Sequence, residues 1–376
     1  MAFHLEEFTK NKSEMDFKIS TLTFNIFSTS SLERFYNYFV VIYNLICFPF
    51  ILLHLITAFD GEINENIMTT NLYMFGTLLY FIKISLGSYR RKEILELFEK
   101  ICELFNIEET DEDLQKILVE RLKNSLKLWK VCTKWGLRTG VLSISIFGLS
   151  MRFNEKIGLI IDIPRTNITS PLLIEGLRSI PTLHAMLTGH YFMTIELAIL
   201  CLGIPIATEI DILEDYIRIS NDKIKTTPNF FKKIIKMHCN VLGDVNLLNE
   251  TFSEMTFIQF FSSIVFFLIV FLFLRKGTEN IDGYLLCLCA LMQLLPLCLL
   301  GEFIRYKTDK LSDTLYLTNW YELSLKDQKV FLIILGMAQR EYGLKAAGMY
   351  EVNLSTFIQI IKLAFSYCAI LYTFSN

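Results

Sequence analysis

Few side chains in this 376-residue chain are of a kind that does chemistry, and their spacing argues against catalysis. The five histidines, His4, His54, His184, His190 and His238, are scattered. His184 and His190 stand six apart, so one helical face cannot present both to a metal. No HExxH, Walker A, GxGxxG or GxSxG pattern occurs. Of nine cysteines, most sit inside apolar stretches (Cys47, Cys132, Cys201, Cys287, Cys289, Cys298, Cys368) and none forms a CxxC pair. A disulfide framework or zinc centre is unsupported, and neither an enzyme activity nor a cofactor is implied. What remains is two ionisable residues in apolar surroundings, Lys83 and Glu196, and three stripes of polar and aromatic residues. A charge embedded in hydrocarbon is a functional candidate by default. Lys83 is expected to snorkel to the inner interface, and Glu196 to serve as an internal hydrogen-bond partner. Tyr73, Gly76, Thr77 and Tyr80 share one helical face; so do Ser143, Phe147, Ser150 and Met151, and again His184, Thr188, Tyr191 and Phe192. Tyr284 opens a further apolar run. Such stripes turn toward protein rather than lipid, where they line a cavity or simply pack helices together.

The elements that carry these residues are hydrocarbon-length. Hydrophobic residues make up 52% of the chain and charged ones 20%, against about 45–50% and about 25% in a soluble domain. The clumping matters more than the average, because about 20 apolar residues span a bilayer. Seven runs qualify: 35–58, 71–88, 129–150, 180–208, 256–274, 284–301 and 354–374. The third is weakened by Lys130, Lys134 and Arg138, and the fourth holds Pro181 and Pro205. Residues 329–339, KVFLIILGMAQ, are too few to span and read as a buried helix under the membrane. The first 30 residues are polar and charged, and the run near Phe35 is too long for a cleavable signal, so it is expected to stay as an anchor.

The long polar segments have their own periodicity. Residues 90–128 carry ten acidic and eight basic side chains, with Ile94, Leu97, Phe98, Ile101, Leu104, Leu118 and Leu122 spaced for one helical face. Residues 210–255 do the same through Ile234, Val241, Val245, Leu248 and Phe252, with a break near Thr226-Thr227-Pro228. Both are expected to be helices projecting out of the membrane. No internal repeat is evident, so the chain reads as one domain.

Cations set orientation. Lys10, Lys12, Lys18 and Arg34 precede the first run, and segments 89–128, 209–255 and 302–328 hold eight, six and four Lys or Arg. Segment 59–70 and the tail have none, and 151–179 and 275–283 have four and two. Seven spans with a cytoplasmic N-terminus and an extracellular C-terminus follow. Asn167 begins a sequon in an external loop, a candidate glycosylation site. This orientation opposes that of receptors coupled to G proteins. A secondary transporter would show repeated halves and paired broken helices; the odd span count and the lack of a repeat speak against it. The net charge of −3 and the lack of a basic module exclude nucleic acid as a partner.

Several C-terminal motifs then carry a resemblance. HCNVLGDVNLLNETF at 238–252, SDTLYLTNWY at 312–321 with Tyr316 ahead of Trp320, the run at 332–336, Ala347-Gly348, Leu354-Ser355-Thr356-Phe357 and Ser366 to Leu371 occur in order. Together they resemble the insect odorant receptor family. The motifs cover about the last third of the chain, and the topology covers all of it. Taste receptors of the same superfamily are the nearest alternative; their Thr-Tyr-x-x-x-x-x-x-Gln-Phe ending is missing here. The chain also lacks the long second internal loop of the family's co-receptor.

The resemblance implies an all-α polytopic membrane protein acting as the odorant-tuned subunit of a non-selective cation channel, hetero-oligomeric and tetrameric with the co-receptor. It implies the plasma membrane of olfactory sensory neurons, with lipid around the protein and monovalent and divalent cations permeating. Residues 1–34 become a cytoplasmic N-terminus, 35–208 a ligand-sensing bundle, 209–353 an anchor with spans five and six, and 354–374 the pore-lining span. A small volatile organic molecule would bind in the outer half of the bundle, with Tyr73, Thr77, Tyr80, Ser143, Phe147, Met151, His184, Thr188, Tyr191 and Tyr284 as candidate contacts. Ile370 and Phe374, four apart at the outer end of the last span, match the family's apolar constriction, with Thr373 beside them. Such a ring gates by dewetting; the alternative is that both residues face lipid.

Overall fold

The computed structural model describes residues 3–24, 31–59, 65–153, 170–223, 230–275 and 281–374. Among these residues there are ten α-helices and one two-stranded hairpin: α1 (Phe3–Leu22), α2 (Ser31–Ala58), α3 (Glu65–Tyr89), α4 (Arg91–Phe105), α5 (Glu112–Phe153), α6 (Pro171–Lys223), α7 (Phe230–Arg275), α8 (Ile281–Tyr316), α9 (Leu325–Ala338), β1 (Lys345–Ala346), β2 (Tyr350–Glu351) and α10 (Leu354–Phe374). The seven apolar runs ride on α2, α3, α5, α6, α7, α8 and α10. Five of these (α2, α3, α6, α7 and α8) are long and apolar enough to cross a membrane on length and composition alone. The chain is an all-α polytopic membrane protein. Asn167 and the break at Thr226-Thr227-Pro228 lie outside the described residues.

Helix length explains the architecture. α5, α6 and α7 hold 42, 53 and 46 residues. At 1.5 Å per residue they reach about 60–80 Å, twice a hydrocarbon core of about 30 Å. Their excess length gathers with α4, α9 and the hairpin into an anchor. α6 is the central post, and every residue from Tyr191 to Thr208 is buried. A span apolar all round has no preferred lipid face and settles inside the bundle. Pro181 and Pro205 leave α6 continuous. α5 and α6 pack closely at Gly140, where a Cβ would fall 2.7 Å from Met193 Cε, and at Gly189, where it would fall 2.5 Å from Ile144 Cδ1.

The polar N-terminal segment holds an element that its composition hides. Phe8, Met15, Ile19 and Leu22 of α1 are all buried. Phe8 stacks on Phe105 at 4.2 Å between ring centroids, and Lys130 reaches from α5 to Glu7 at 2.5 Å.

In the anchor, opposite charges pair between helices: Arg121 with Asp215 at 2.7 Å, Lys100 with Asp244 at 2.6 Å, Lys310 with Glu214 at 3.0 Å, and Lys307 with Asp211. Glu209, just past the apolar part of α6, lies against Asp244. Burial, followed by the charge and hydrogen bond of that neighbouring carboxylate, pushes the Glu209 pKa up to about 8. A proton held by Glu209 lets it donate to Asp244, which also accepts from Lys100.

The hairpin fixes the start of α10. Its turn places Ala347 and Gly348 at φ 49° and 69°. Asn249 Oδ1 accepts from Lys345 N at 2.6 Å, and Ser253 Oγ donates to the Lys345 carbonyl at 2.9 Å. Arg305 holds Glu351 at 2.5 Å, and Asn353 caps α10 by accepting from Thr356 N at 2.8 Å. Gly301 of α8 is required here, because a Cβ would run into the Val352 carbonyl oxygen.

Lys83 does not snorkel. Its ammonium lies 2.6 Å from Glu196 Oε1, with side chains 2% and 6% exposed, and 5.2 Å over the Phe192 ring. α3 packs against α6 with this residue turned inward, where the Glu196 carboxylate is within reach and pairs with the ammonium. Glu196 is the internal partner expected of it.

Two outcomes test this packing. Lys83→Met or Glu196→Leu alone strands a buried charge and should cost about 3–5 kcal/mol, and the double substitution should recover most of that. Thermal unfolding in detergent measures it, and additive losses would show that the pair is uncoupled. For Glu209 the folded pKa lies above the ordinary 4.5, so its stabilising proton is lost as pH rises through about 8. Stability should therefore fall between pH 5 and 8 in the native chain, and Glu209→Gln should flatten that slope.

Candidate functional site

A cavity of about 100 Å³ opens where the first half of α3, the end of α5, the first half of α6 and parts of α7 and α8 meet. This is the half of the bundle away from the anchor. The wall is apolar and aromatic: Phe75, Phe147, Phe192 and Phe266 contribute rings, and Leu72, Leu79, Ile144 and Leu286 aliphatic surface. A cavity of this size and lining suits a molecule of about one ring.

The polar groups in the wall are few and specifically arranged. Thr77 Oγ1 donates its single proton to the Tyr73 carbonyl at 2.8 Å. It therefore accepts from His184 Nε2 at 3.0 Å. With the Thr77 proton on the Tyr73 carbonyl, the matching tautomer carries its proton on Nε2 and presents Nδ1 as an acceptor. His184 Nδ1 and the Tyr73 hydroxyl are buried without a protein partner among the described residues. The rings of the two residues lie 5.7 Å apart. Tyr43 also stacks on His184, at 6.3 Å between ring centroids, and donates to the Ile180 carbonyl at 2.8 Å. Thr188 donates to Asn44 Oδ1 at 3.2 Å, so its hydroxyl is already committed. Buried polar groups are normally satisfied; here one acceptor and one hydroxyl at a cavity wall are not. The polar surface needed for a metal is missing, and no group of three or more metal-ligating side chains occurs among the described residues.

The structure brings Tyr73, Phe147, His184 and Thr188 together at this cavity, along with Gly76 and Phe192 of the same stripes. The other candidates stand elsewhere. Thr77 is one layer behind, orienting His184. Ser143 is also behind the wall, accepting from the cavity-lining Cys289 at 3.5 Å. Met151 receives the Thr69 hydroxyl at 3.8 Å. Tyr80 and Tyr191 pack edge to face at 4.6 Å, and Tyr191 donates to the Thr21 carbonyl of the N-terminal segment at 3.1 Å. Tyr284 is 56% exposed; two residues of helical rotation bring Leu286 into the wall in its place. Phe266, Leu286, Cys289 and Gln293 line the cavity from uniformly apolar runs, whose inward face no sequence period marks.

The last helix, α10, meets α7 and α8 through Ile360 and Ala364, which are buried, with Phe357 and Ile361 partly so. Its other face is uncovered among the described residues. Gln359, Lys362, Ser366, Ile370 and Thr373 are all exposed there at three- and four-residue spacing. Thr373 Oγ1 donates to the Ile370 carbonyl at 2.7 Å. Phe374 ends the helix, and its side chain lies outside the described residues.

A family model described as 7tm Odorant receptor matches residues 62–365. Odorant receptor 33b of Drosophila melanogaster is 27% identical over 137 residues, which cover 35% of this chain and 36% of that protein. Odorant receptor Or1 of Anopheles gambiae is 24% identical over 143 residues, or 36% and 34%. The alignments thus span about a third of these curated relatives. Among solved structures, the insect olfactory receptor OR5 from Machilis hrabei in complex with eugenol superposes with a TM-score of 0.77 at 15% identity, covering 98% of this chain and 99% of that one. A second structure of OR5 gives 0.70 at 14% identity. Receptors, not enzymes, share this fold and family. With the family's model matched across most of its length, on a fold shared end to end, this chain belongs to the seven-transmembrane odorant receptor family.

Proposed function

We propose that this chain is the odorant-tuned subunit of a ligand-gated, non-selective cation channel. It assembles with the family's co-receptor, as a tetramer, in the plasma membrane of olfactory sensory neurons, with its N-terminus and anchor in the cytosol. The observation that carries this is the polar stripe of α10. Gln359, Lys362, Ser366 and Thr373 lie opposite the packed face of a helix that otherwise reads as a membrane span. Polar side chains on such a helix belong against protein or water rather than lipid. Ile370, on the same stripe, is the apolar gate candidate, with Phe374 one turn on.

The ligand sits in the cavity, against the walls that Tyr73 and His184 contribute. Their unpaired hydroxyl and Nδ1 call for a small molecule with an apolar body and one hydrogen-bond donor, an alcohol or phenol. Eugenol, the ligand of the related OR5 complex, has that make-up. Ligand binding shifts the closed–open equilibrium through its different affinity for the two states. A route to the gate is at hand: Phe266 lines the cavity, and Phe271, five residues along α7, packs on Phe365 of α10 at 4.0 Å between ring centroids.

Recording from cells that express this chain with the co-receptor tests the proposal. Small hydroxylated volatiles should evoke cation currents at concentrations about tenfold lower than their methyl ethers, the loss expected when a buried acceptor is left unmatched. His184→Phe should erase that preference, and Ile370→Ala should produce a standing current without ligand. Saturable uptake without conductance would assign a transporter instead. Responses indifferent to both His184→Phe and Tyr73→Phe would move the ligand to another site.

A further inference from the structure

A second cavity, of about 460 Å³, lies between α5, α6 and α8. It occupies the half of the bundle next to the anchor, away from the ligand cavity. Its wall runs from Leu128 to Gly136 on α5 and from Met292 to Phe303 on α8. At 1.5 Å per residue it is about 12–16 Å long and parallel to the helices. It opens sideways: Leu128, Val131, Trp135 and Phe303 on its rim are each 45–59% exposed. The one ionisable carboxylate in the wall is Glu196, already bonded to Lys83.

The cations beside this opening are unusual. Lys127, Lys134 and Arg138 are exposed, and none has an ion-pair partner among the described residues. With Val131 they fall at three- and four-residue spacing, on the α5 face adjoining the rim. Lys130, by contrast, turns to Glu7. Uncompensated cations within a span are costly unless they reach an anionic surface. Trp135 is of the type that settles at headgroup level.

We infer that this cavity holds an acyl chain of an anionic phospholipid from the anchor-side leaflet, with its headgroup phosphate on Lys127, Lys134 and Arg138. Charge complementarity, elongation and the lateral opening favour this occupant over a soluble ligand. Occupancy also bears on the ligand cavity. Glu196 lines the lipid cavity and holds Lys83, and Lys83 lies over Phe192, which lines the ligand cavity.

The test is thermal unfolding of the full-length chain in detergent, titrated with phosphatidylglycerol, phosphatidylcholine of the same chain length, or inorganic phosphate. Phosphatidylglycerol should raise Tm by at least about 3 °C, and the other two should not. The variant Lys127→Gln/Lys134→Gln/Arg138→Gln should keep the lipid-free Tm, since these side chains are exposed, and lose the shift. Leu299→Trp, which fills the cavity and spares the cations, should lose it too. Native mass spectrometry should show bound phosphatidylglycerol on the native chain only. Equal shifts with phosphatidylcholine or phosphate, or a shift that survives the triple variant, overturn the inference. A shift that appears only with the co-receptor present assigns this face to a partner subunit and also overturns it.

Discussion

Hydrocarbon offers no water to a polar side chain, so each one in these spans must find its partner within the protein. Most of them do. Thr70, Thr77, Ser85, Thr194 and Thr208 return their hydroxyl protons to carbonyls four residues back. Lys83 and Glu196 close on one another in the middle of the bundle. Tyr191 reaches across to the N-terminal segment, and Tyr36 to His190 at 2.7 Å. Against that background the exceptions carry information. Asn37, Tyr80, Trp129 and Thr133 also bury unpartnered polar atoms, but Tyr73 and His184 are the ones that stand at the cavity, and the exposed stripe of α10 has no cover among the described residues.

The same constraint joins the two ends of the molecule. α6 is buried on every side through its middle and cannot shift without disturbing α5, α8 and the buried ion pair. α7 and α8 touch the cavity above and brace α10 beside it. Below, cross-helix ion pairs and the hairpin hold the anchor together, with Asn249 and Asn353 engaged in hydrogen bonds that fix the start of α10. A base braced by ion pairs, an apolar cavity with two unpaired polar groups opposite it, and a last helix packed on one face only are the parts that a ligand-biased two-state equilibrium needs.

Much of this was legible in the sequence, for identifiable reasons. Span length is a property of composition, so the seven runs can be read directly. Amphipathic spacing at Ile94, Leu97, Ile101 and Leu104 reveals the projecting helices, because their apolar face is narrow and regular. The His184 and Tyr73 stripes stand out since polar residues are rare in such runs. Other features need three dimensions. Lys83 and Glu196 are 113 residues apart, and nothing local says they meet. α1 is masked by its charges, although Phe8, Met15, Ile19 and Leu22 keep helical spacing. The contributions of α7 and α8 to the cavity depend on helix rotation, which a uniformly apolar run does not encode, and for that reason Leu286 faces in where Tyr284 does not.

The most direct measurement is a structure of the receptor assembled with its co-receptor and an activating alcohol or phenol. Density for the ligand should lie between α3, α5 and α6, with its oxygen about 3 Å from His184 Nδ1. A ligand seated elsewhere, with that nitrogen untouched while the channel is open, would contradict the account.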